Sequence, residues 1–395
     1  MSGERWDLVT GEYPPRHGGV SDYSVAVAEG LAATGAEVHV WCAGRGDDSV
    51  TSSGVQLHAI AGQWSPGDLR RVNDALARLP GPRRLLVQWV PHAYGRRALN
   101  VAFCRWIRRR GRHGDRVELM VHEPFLAFGE GSLRQTAAAV VHRAMVGLLL
   151  SVAARVWVSV PAWAGLLRPW TLRRDVPFCW LPVPSSIPVA HQPGAVARLR
   201  AQLAPADGLV VGHFGTYGDL IAGPLAPVLR TVLATLPTTR VVLLGHNSDR
   251  FARTLSQGGP DLGSRIVATG GLNPETLSCH LQACDLMVQP YPDGVSTRRS
   301  TAMAALSHGC PLVTTSGRLT EPFWAGSRAA TLAPAGDGGA LARAVLELGQ
   351  DQDRRRRQGL AAQRLYAAHF DLSHTITALR SQTCPPTDGL LTPVA

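Results

Sequence analysis

Residues 285–317 read DLMVQPYPDGVSTRRSTAMAALSHGCPLVTTSG and hold one complete strand, helix and strand pattern. Its apolar runs at 285–289 and 311–315 are typical of parallel strands that are buried on both faces, with a crossover helix between them. The same pattern recurs at 6–10, 37–42, 85–90, 117–122 and 156–160, and again at 209–213, 241–244 and 266–269. It predicts an α/β protein with two Rossmann-like doubly wound parallel sheets that face a cleft.

The amino-acid composition excludes several classes of function. The 395 residues are 45% hydrophobic and 17% charged, which predicts a globular chain. All 40 basic residues are arginine, and the formal net charge is +11. Without lysine, Schiff-base and Walker-type lysine mechanisms are excluded. The seven cysteines lack the spacing of a zinc site or of a disulfide scaffold, and the N-terminus does not look like a signal peptide, so we expect a cytoplasmic protein.

The proline-rich segment 175–193 separates the two sets of strands. We therefore expect an N-terminal Rossmann-like domain over 1–180 and a C-terminal Rossmann-like domain over 181–370. A C-terminal helix would follow over 371–383, and residues 384–395 would form a flexible tail.

The first candidate site follows the opening strand. Gly18 and Gly19 allow close backbone approach, Ser21 or Asp22 could cap the next helix, and Gly35 could end it. A glycine loop at a helix N-terminus suits an anion, although a tight turn without a ligand is an equally good interpretation.

The second candidate site lies inside 290–317. Ser296 or Thr297 is suited to cap a helix that ends near His308, and Arg298 and Arg299 would occupy its first turn. Cations are unfavourable at that end of the helix dipole, so a bound phosphate would explain them. Two solvated arginines are the alternative.

Three further patterns carry less weight. His122, at the end of a predicted strand, could bond a ligand hydroxyl. Asp351 and Asp353 spell DxD but precede four arginines, so we assign no metal. The basic run 105–116 matches no nucleic-acid module, and we expect no nucleic-acid partner.

Taken together, EYPPRHGGVSDYSVAVAEG, VHEPF, VGHFGTYG and PYPDGVSTRRSTAMAALSHG resemble the glycosyltransferases of family 4, over nearly the whole chain. That resemblance implies the GT-B architecture and transfer of a sugar, with retention at the anomeric carbon and without a metal. It also implies that domain 1–180 is the acceptor side, that domain 181–370 binds the nucleotide-sugar, and that the helix over 371–383 crosses back to the first domain. The donor would be a UDP- or GDP-linked sugar, and the acceptor a small molecule or a saccharide. No cofactor is implied beyond that co-substrate, and any membrane association would be peripheral.

The resemblance also implies roles for individual residues. His122 and Asp293 would act on the donor sugar as catalytic residues. The expected donor-binding residues are Gly18, Gly19, Gly215, Thr216, Gly271, Leu272, Gly294, Val295, Ser296, Arg298, Arg299, Thr301 and Glu321. The expected acceptor-binding residues are Tyr13, Asp22 and Glu123.

Two departures from the family pattern stand out. Thr301 replaces the second acid of the family's paired-acid motif, and the segment GHFGTYGDLIAGP lacks the usual arginine and lysine that grip the diphosphate. We expect Arg298, Arg299 and their helix N-terminus to support the leaving group instead. A GT-B sugar-nucleotide epimerase and a nucleotide-binding homologue without transfer activity stay open as alternatives.

Overall fold

The computed structural model describes residues 4–16, 18–44, 46, 48–95, 98–128, 132–171, 175–205, 208–257 and 260–384. These residues form two compact units. The first contains residues 4–182 together with 372–384, and the second contains residues 183–371. Each is built on its own largely parallel sheet.

The first unit carries an eight-stranded sheet. Its strands are β1 Arg5–Thr10, β2 Glu37–Cys42, β3 Ser49–Val50, β4 Gln56–His58, β5 Arg84–Trp89, β6 Arg116–Val121, β7 Ala153–Val158 and β8 Phe178–Trp180. Its first five helices are α1 Gly19–Ala33, α2 Pro66–Ala77, α3 Val101–Arg112, α4 Leu133–Leu150 and α5 Ala162–Leu167. The strand order is β3-β4-β2-β1-β5-β6-β7-β8, and only the β3–β4 pair is antiparallel.

The second unit carries a six-stranded parallel sheet. Its strands are β9 Val210–Phe214, β10 Arg240–Leu244, β11 Ile266–Ala268, β12 Leu286–Gln289, β13 Leu312–Ser316 and β14 Ala330–Pro334. Its helices are α6 Pro193–Leu203, α7 Asp219–Thr235, α8 Ser248–Ser256, α9 Pro260–Gly263, α10 Pro274–Ala283, α11 Ser300–Ser307, α12 Phe323–Gly326, α13 Gly338–Gln350 and α14 Gln352–His369. The order β11-β10-β9-β12-β13-β14 reverses direction between β9 and β12, which is the switch point where such sheets bind ligands.

Buried aliphatic side chains hold the second sheet to its helices. Val211, Val241, Leu243 and Val288 lie at 0% exposure and share one cluster with apolar residues of α7 and α13. These strands are buried because both of their faces are covered, as the continuous apolar runs of the sequence predict.

The last helix, α15 (Leu372–Arg380), belongs to the first unit. It packs against α1 so closely that a Cβ on Gly30 would lie 2.8 Å from Ile376 Cδ1. Beyond it, Cys384 forms a disulfide with Cys179 of β8, 205 residues away in sequence. The cysteine spacing does not predict this bond. Residues 385–395 of the predicted tail lie outside the described residues.

Two predicted helix caps are wrong. Helix α1 begins at Gly19 with Gly18 as its N-cap, so Ser21 and Asp22 lie inside the first turn. Gly35 does follow the helix end with φ +84°, as predicted. Helix α11 begins at Ser300 with Arg299 as its N-cap, so Ser296 and Thr297 lie before the helix. The prediction that Arg298 and Arg299 occupy its first turn is wrong for the same reason. Over the described residues, no helix is both long enough and apolar enough to span a bilayer.

Candidate functional site

The loops that follow the neighbouring strands β9 and β10 meet beside the switch point of the second sheet. The Gly215 amide donates to the Leu244 carbonyl at 3.0 Å, and Asn247 Nδ2 donates to the Thr216 carbonyl at 3.3 Å. Gly245 has φ +108°, and a Cβ there would lie 2.3 Å from the Gly215 oxygen. Only glycine permits this approach, which leaves main chain rather than side chains at this edge of the sheet.

The turn after β12 is equally restricted. The Gly294 amide donates to the Tyr291 carbonyl at 3.1 Å, and Val295 N donates to Thr315 O at 2.7 Å. Gly294 has φ +86°, and a Cβ on it would lie 2.2 Å from Gly317 N. The main chain of Gly294 and Val295 is therefore fixed against the end of β13.

Asp293 forms ion pairs with both arginines of the predicted site. Arg298 Nη2 donates to Asp293 Oδ2 at 2.7 Å, and Arg299 Nη2 donates to Asp293 Oδ1. Burial alone would raise the pKa of Asp293, but the guanidinium groups of Arg299 and Arg298 hold it below its ordinary value. The three charges sum to +1, and one carboxylate orders both cations.

Burial also acts on the arginines themselves. The Arg298 and Arg299 side chains are 17% and 22% exposed. Burial, followed by the neighbouring Arg298, lowers the pKa of Arg299. A cation in this position gains from an additional anion, because desolvation strengthens the electrostatic interaction.

Helix α11 begins directly after these arginines and has no side-chain cap. Of its first amides, Arg299 N donates to Ser296 O at 3.0 Å and Ala302 N to Arg299 O at 2.9 Å, so among the described residues the amides of Ser300 and Thr301 are the ones left for a ligand or for solvent. Ser296, at 0% exposure, has a buried hydroxyl with no partner among the described residues. The N-terminus of α11, the Ser296 hydroxyl and the two guanidinium groups are hydrogen-bond donors, and all of them lie within one short stretch of the sequence.

Thr301 is engaged within the protein. Its hydroxyl lies 2.7 Å from the Tyr291 hydroxyl, and Arg299 stacks over the Tyr291 ring at 4.6 Å. Burial raises the pKa of Tyr291 to about 12, so this phenol stays protonated. Tyr291 thus joins Thr301 to the arginine pair, a connection that the sequence did not reveal.

Glu321 faces inward and supports the same loop. Its Oε1 accepts from Thr297 N at 3.0 Å and from Thr297 Oγ1 at 2.6 Å, and its Oε2 accepts from Trp324 Nε1 at 2.9 Å. Burial raises the pKa of this carboxyl group. The three hydrogen bonds describe a positioning role for Glu321 in the loop that carries the arginines.

Gly271 and Leu272 follow β11 on the opposite side of the switch point. Gly270 adopts φ +64°, and its amide donates to Ser248 Oγ at 2.8 Å. A Cβ on the exposed Gly271 would lie 2.5 Å from His246 Cε1. Because the His246 ring lies this close, only glycine fits at position 271 without a shift of that ring.

In the first unit, His122 lies at the carboxyl end of β6 beside β5. Its Nε2 lies 2.8 Å from Gln88 Oε1, and its ring meets the Tyr23 ring edge-on at a centroid distance of 4.8 Å. Burial lowers the pKa of His122 to about 3, so the imidazole is neutral near pH 7. Because a carbonyl oxygen only accepts, Nε2 carries the proton and Nδ1 has a lone pair for a hydroxyl donor.

Three buried polar atoms near this histidine have no partner among the described residues: Ser21 Oγ, Tyr23 OH and Gln88 Nε2. Unpaired buried donors of this kind normally indicate bound water or ligand. Gln88, Ser21 and Tyr23 were not among the predicted site residues. The polar glutamine at the end of an apolar strand was the signal that could have found the first of them.

The remaining predicted residues of the first unit lie around this edge. Tyr13 is buried, and burial raises its pKa to about 12. Asp22 is exposed, and Glu123 lies 3.8 Å from His92 Nδ1. A Cβ on Gly18 would lie 2.8 Å from Glu12 Oε2, which brings a carboxylate to the glycine loop.

The DxD pattern has a structural explanation. Asp351 Oδ1 accepts from Arg354 N at 2.8 Å and caps α14, and Asp353 lies in the first turn of that helix. Within the described part of the chain, no group of three or more His, Cys, Asp or Glu side chains is placed to hold a metal ion.

One segment of the second unit matches a known family model. Residues 222–351 match the family model of glycosyl transferases group 1, a segment that contains Asp293, both arginines and Glu321. No curated protein matches the chain by sequence.

The solved structures with this fold are distant in sequence. Sucrose-phosphate synthase from Thermosynechococcus elongatus has a TM-score of 0.72 at 19% identity, covering 95% of this chain and 97% of that one. Anabaena HepE in complex with UDP and glucose has a TM-score of 0.66 at 16% identity, covering 95% and 98%. WaaG, a glycosyltransferase involved in lipopolysaccharide biosynthesis, has a TM-score of 0.69 at 14% identity, covering 94% and 97%.

These findings confirm the GT-B architecture. Membership of family 4 in particular stays a prediction. The match of residues 222–351 to the model of glycosyl transferases group 1 confirms the prediction of a glycosyltransferase.

Proposed function

We propose that this chain transfers a sugar from a UDP- or GDP-linked donor to a small-molecule or saccharide acceptor, with retention at the anomeric carbon and without a metal ion. The observation that carries the proposal is the arginine pair on Asp293, directly before the uncapped α11, inside the group 1 segment. UDP is the first base to test, because the similar HepE structure holds UDP and glucose.

The diphosphate would lie against Arg298, Arg299 and the first amides of α11. A helix N-terminus carries about half a positive charge, and the ion-paired trio adds a net unit. Since negative charge grows on the leaving phosphate as the glycosidic bond breaks, these groups stabilise the transition state more than the ground state. In this proposal Arg298, Arg299 and the start of α11 replace the arginine and lysine pair that would otherwise bind the diphosphate after β9.

In the retaining step that we propose, the departing phosphate oxygen accepts the proton of the acceptor as the new bond forms on the same face. No protein base is then required. This is consistent with each unit taken separately: in the second unit Asp293 is held as a carboxylate by two cations, and in the first unit His122 is neutral. Asp293 would hold the arginines, and through them the leaving group.

The polar cluster of the first unit would bind substrate hydroxyls. His122 Nδ1 is an acceptor, and Gln88 Nε2 and Tyr23 OH are donors that lack a described partner. A sugar needs this mixture of acceptors and donors on a fixed frame. Tyr13, Asp22 and Glu123 would extend the same surface toward the acceptor.

Calorimetric titration with UDP, GDP, ADP and dTDP, each with and without EDTA, tests the donor assignment. We expect one nucleoside diphosphate to bind with an affinity that EDTA leaves unchanged. Failure of all four, or loss of binding in EDTA, would contradict the proposal.

The product tests the reaction. Incubation with the matching nucleotide-sugar and a panel of acceptors should give a product with the anomeric configuration of the donor, read from its NMR coupling constant. An inverted product would refute retention. Conversion of the donor sugar without acceptor would indicate an epimerase, and binding without turnover a homologue that lacks transfer.

A further inference from the structure

A second concave site lies at the far edge of the second unit, two strands from β12. This cavity of about 1240 Å³ is bounded by β14 with the segment before it and by one face of α14. Four arginines line it, namely Arg328, Arg354, Arg357 and Arg364, and no carboxylate is among its lining residues. We call this cavity the arginine groove.

The charges of the arginine groove are not neutralised locally. Arg328, Arg357 and Arg364 are exposed and make no ion pair or hydrogen bond with any residue that the structure describes. By contrast, Arg84 of the first sheet binds both Glu4 and Glu118 at 2.8 and 2.9 Å. A concentration of unpaired guanidinium groups along one wall attracts an anion.

The basic side chains form a line. Arg354, Arg357 and Arg364 lie three and seven residues apart, so they share one face of α14 over roughly 15 Å at 1.5 Å per residue. Arg354 Nη2 also donates to Thr331 Oγ1 of β14 at 3.4 Å, so the helix and the strand are in direct contact at this point. The groove therefore suits an elongated ligand.

The other wall is an open strand edge. Strand β14 ends the sheet, and no described strand pairs with its outer side. Its residues Ala330 to Leu332 line the groove, and Leu360 and Leu365 of α14 add an apolar floor. An edge strand presents unpaired main-chain donors and acceptors to an extended chain.

We propose that the arginine groove binds an extended acidic segment of a partner polypeptide. In a strand, successive side chains point to opposite faces, so one set of acidic side chains can meet the arginines while apolar ones meet Leu360 and Leu365. Main-chain hydrogen bonds would pair the segment with β14. About seven residues at 3.3 Å each would follow α14 from Arg354 to His369.

Other polyanions fit these observations less well. The lining residues include no Phe, Tyr or Trp for base stacking, which single-stranded RNA normally uses. Helices that lie in a bilayer interface carry Trp, Phe or Leu on a broad apolar face, whereas the lining residues of the groove are mainly arginine and small residues. A guanidinium line beside a free strand edge favours a polypeptide carboxylate.

The direct test is fluorescence anisotropy with a labelled peptide of alternating Glu and Val at low salt. Arg357→Glu/Arg364→Glu should raise the Kd of the peptide roughly 30-fold, since each reversal replaces an attraction by a repulsion. Arg343→Glu/Arg356→Glu is the matched control, because it makes the same charge change at exposed positions outside the groove. The control should change Kd less than about threefold.

Hydrogen exchange separates groove binding from general attraction. The amides of Ala330 to Leu332 should gain protection with the peptide in the wild type and none in the groove variant. Equal loss of affinity in both double variants, or binding without protection of β14, would overturn the proposal.

Poly(U) and phosphatidylserine vesicles serve as competing probes. If the wild type bound either of these but not the peptide, and the groove variant lost that binding, the groove would be assigned to RNA or to a membrane instead. Because both variants alter exposed side chains, their melting temperatures should match the wild type, and UDP affinity should be unaffected.

Discussion

Replacing Glu321 by glutamine removes a charge while keeping the shape of the side chain. One oxygen of the amide can still accept from Thr297, but the new NH2 group would face the indole N–H of Trp324, which now lies 2.9 Å from Oε2. Two donors would then oppose each other in a region where Glu321 is 5% exposed.

The expected loss of stability comes from the three hydrogen bonds that Glu321 accepts. A buried donor without a partner costs about 1–3 kcal/mol, and two bonds that lose their charge assistance weaken by about 0.5–1 kcal/mol each. Relief from burying a charge offsets part of this sum. We expect Glu321→Gln to lose about 3 kcal/mol of stability, which corresponds to a fall in Tm of about 9 °C.

Thermal unfolding followed by circular dichroism measures the change. Glu347→Gln in α13 is the matched control, because Glu347 is exposed and its loss should stay within about 0.5 kcal/mol. In the double variant Glu321→Gln/Trp324→Phe the indole N–H is absent, so the two effects should be less than additive. A Glu321→Gln variant as stable as the control, or strict additivity, would refute the reasoning.

Three further outcomes are expected. Gly294→Ala should cost at least about 2 kcal/mol and lower transfer, because φ is +86° and the new Cβ would meet Gly317, whereas Gly218→Ala at φ −63° should be tolerated; equal urea midpoints for the two would contradict this. Since the folded pKa of His122, about 3, lies below the unfolded value, the wild type should lose about 2 kcal/mol between pH 8 and pH 5 that His122→Gln does not lose; parallel pH profiles would argue against a buried neutral imidazole. Cys179→Ser should lower the Tm of the oxidised protein by removing a cross-link worth up to about 5 kcal/mol, and a reductant should lower the Tm of the wild type alone; insensitivity of the wild type would show that the bond does not form.

The strands and the two-sheet architecture could be predicted from sequence because buried parallel strands leave continuous apolar runs. The position of Asp293, Arg298 and Arg299 at the end of β12 follows from that pattern. Their mutual pairing does not, since an acid five residues before an arginine fits a solvated turn equally well.

The cap of α11 could not be found from local sequence. Ser296 and Thr297 are good capping residues. However, Glu321, 24 residues further on, accepts hydrogen bonds from the amide and the hydroxyl of Thr297, and these bonds hold the segment outside the helix. The disulfide of Cys179 with Cys384 likewise depends on α15 returning to the first unit. Contacts between residues far apart in sequence decide both features, and neither leaves a local pattern.

The proposed transfer depends most on the arginine pair as the diphosphate contact, and calorimetric titration of UDP into Arg298→Ala/Arg299→Ala tests this contact directly. Two charge-assisted contacts of about 1.5–3 kcal/mol each predict a rise in Kd of at least about 100-fold. Adding Asp293→Asn to this variant removes the carboxylate that would otherwise be left without its cations, and should not restore affinity. Arg343→Ala, an exposed change in α13, should bind UDP as the wild type does. If Arg298→Ala/Arg299→Ala bound UDP with the wild-type Kd, the diphosphate would not lie on these arginines, and the proposed support of the leaving group would be wrong.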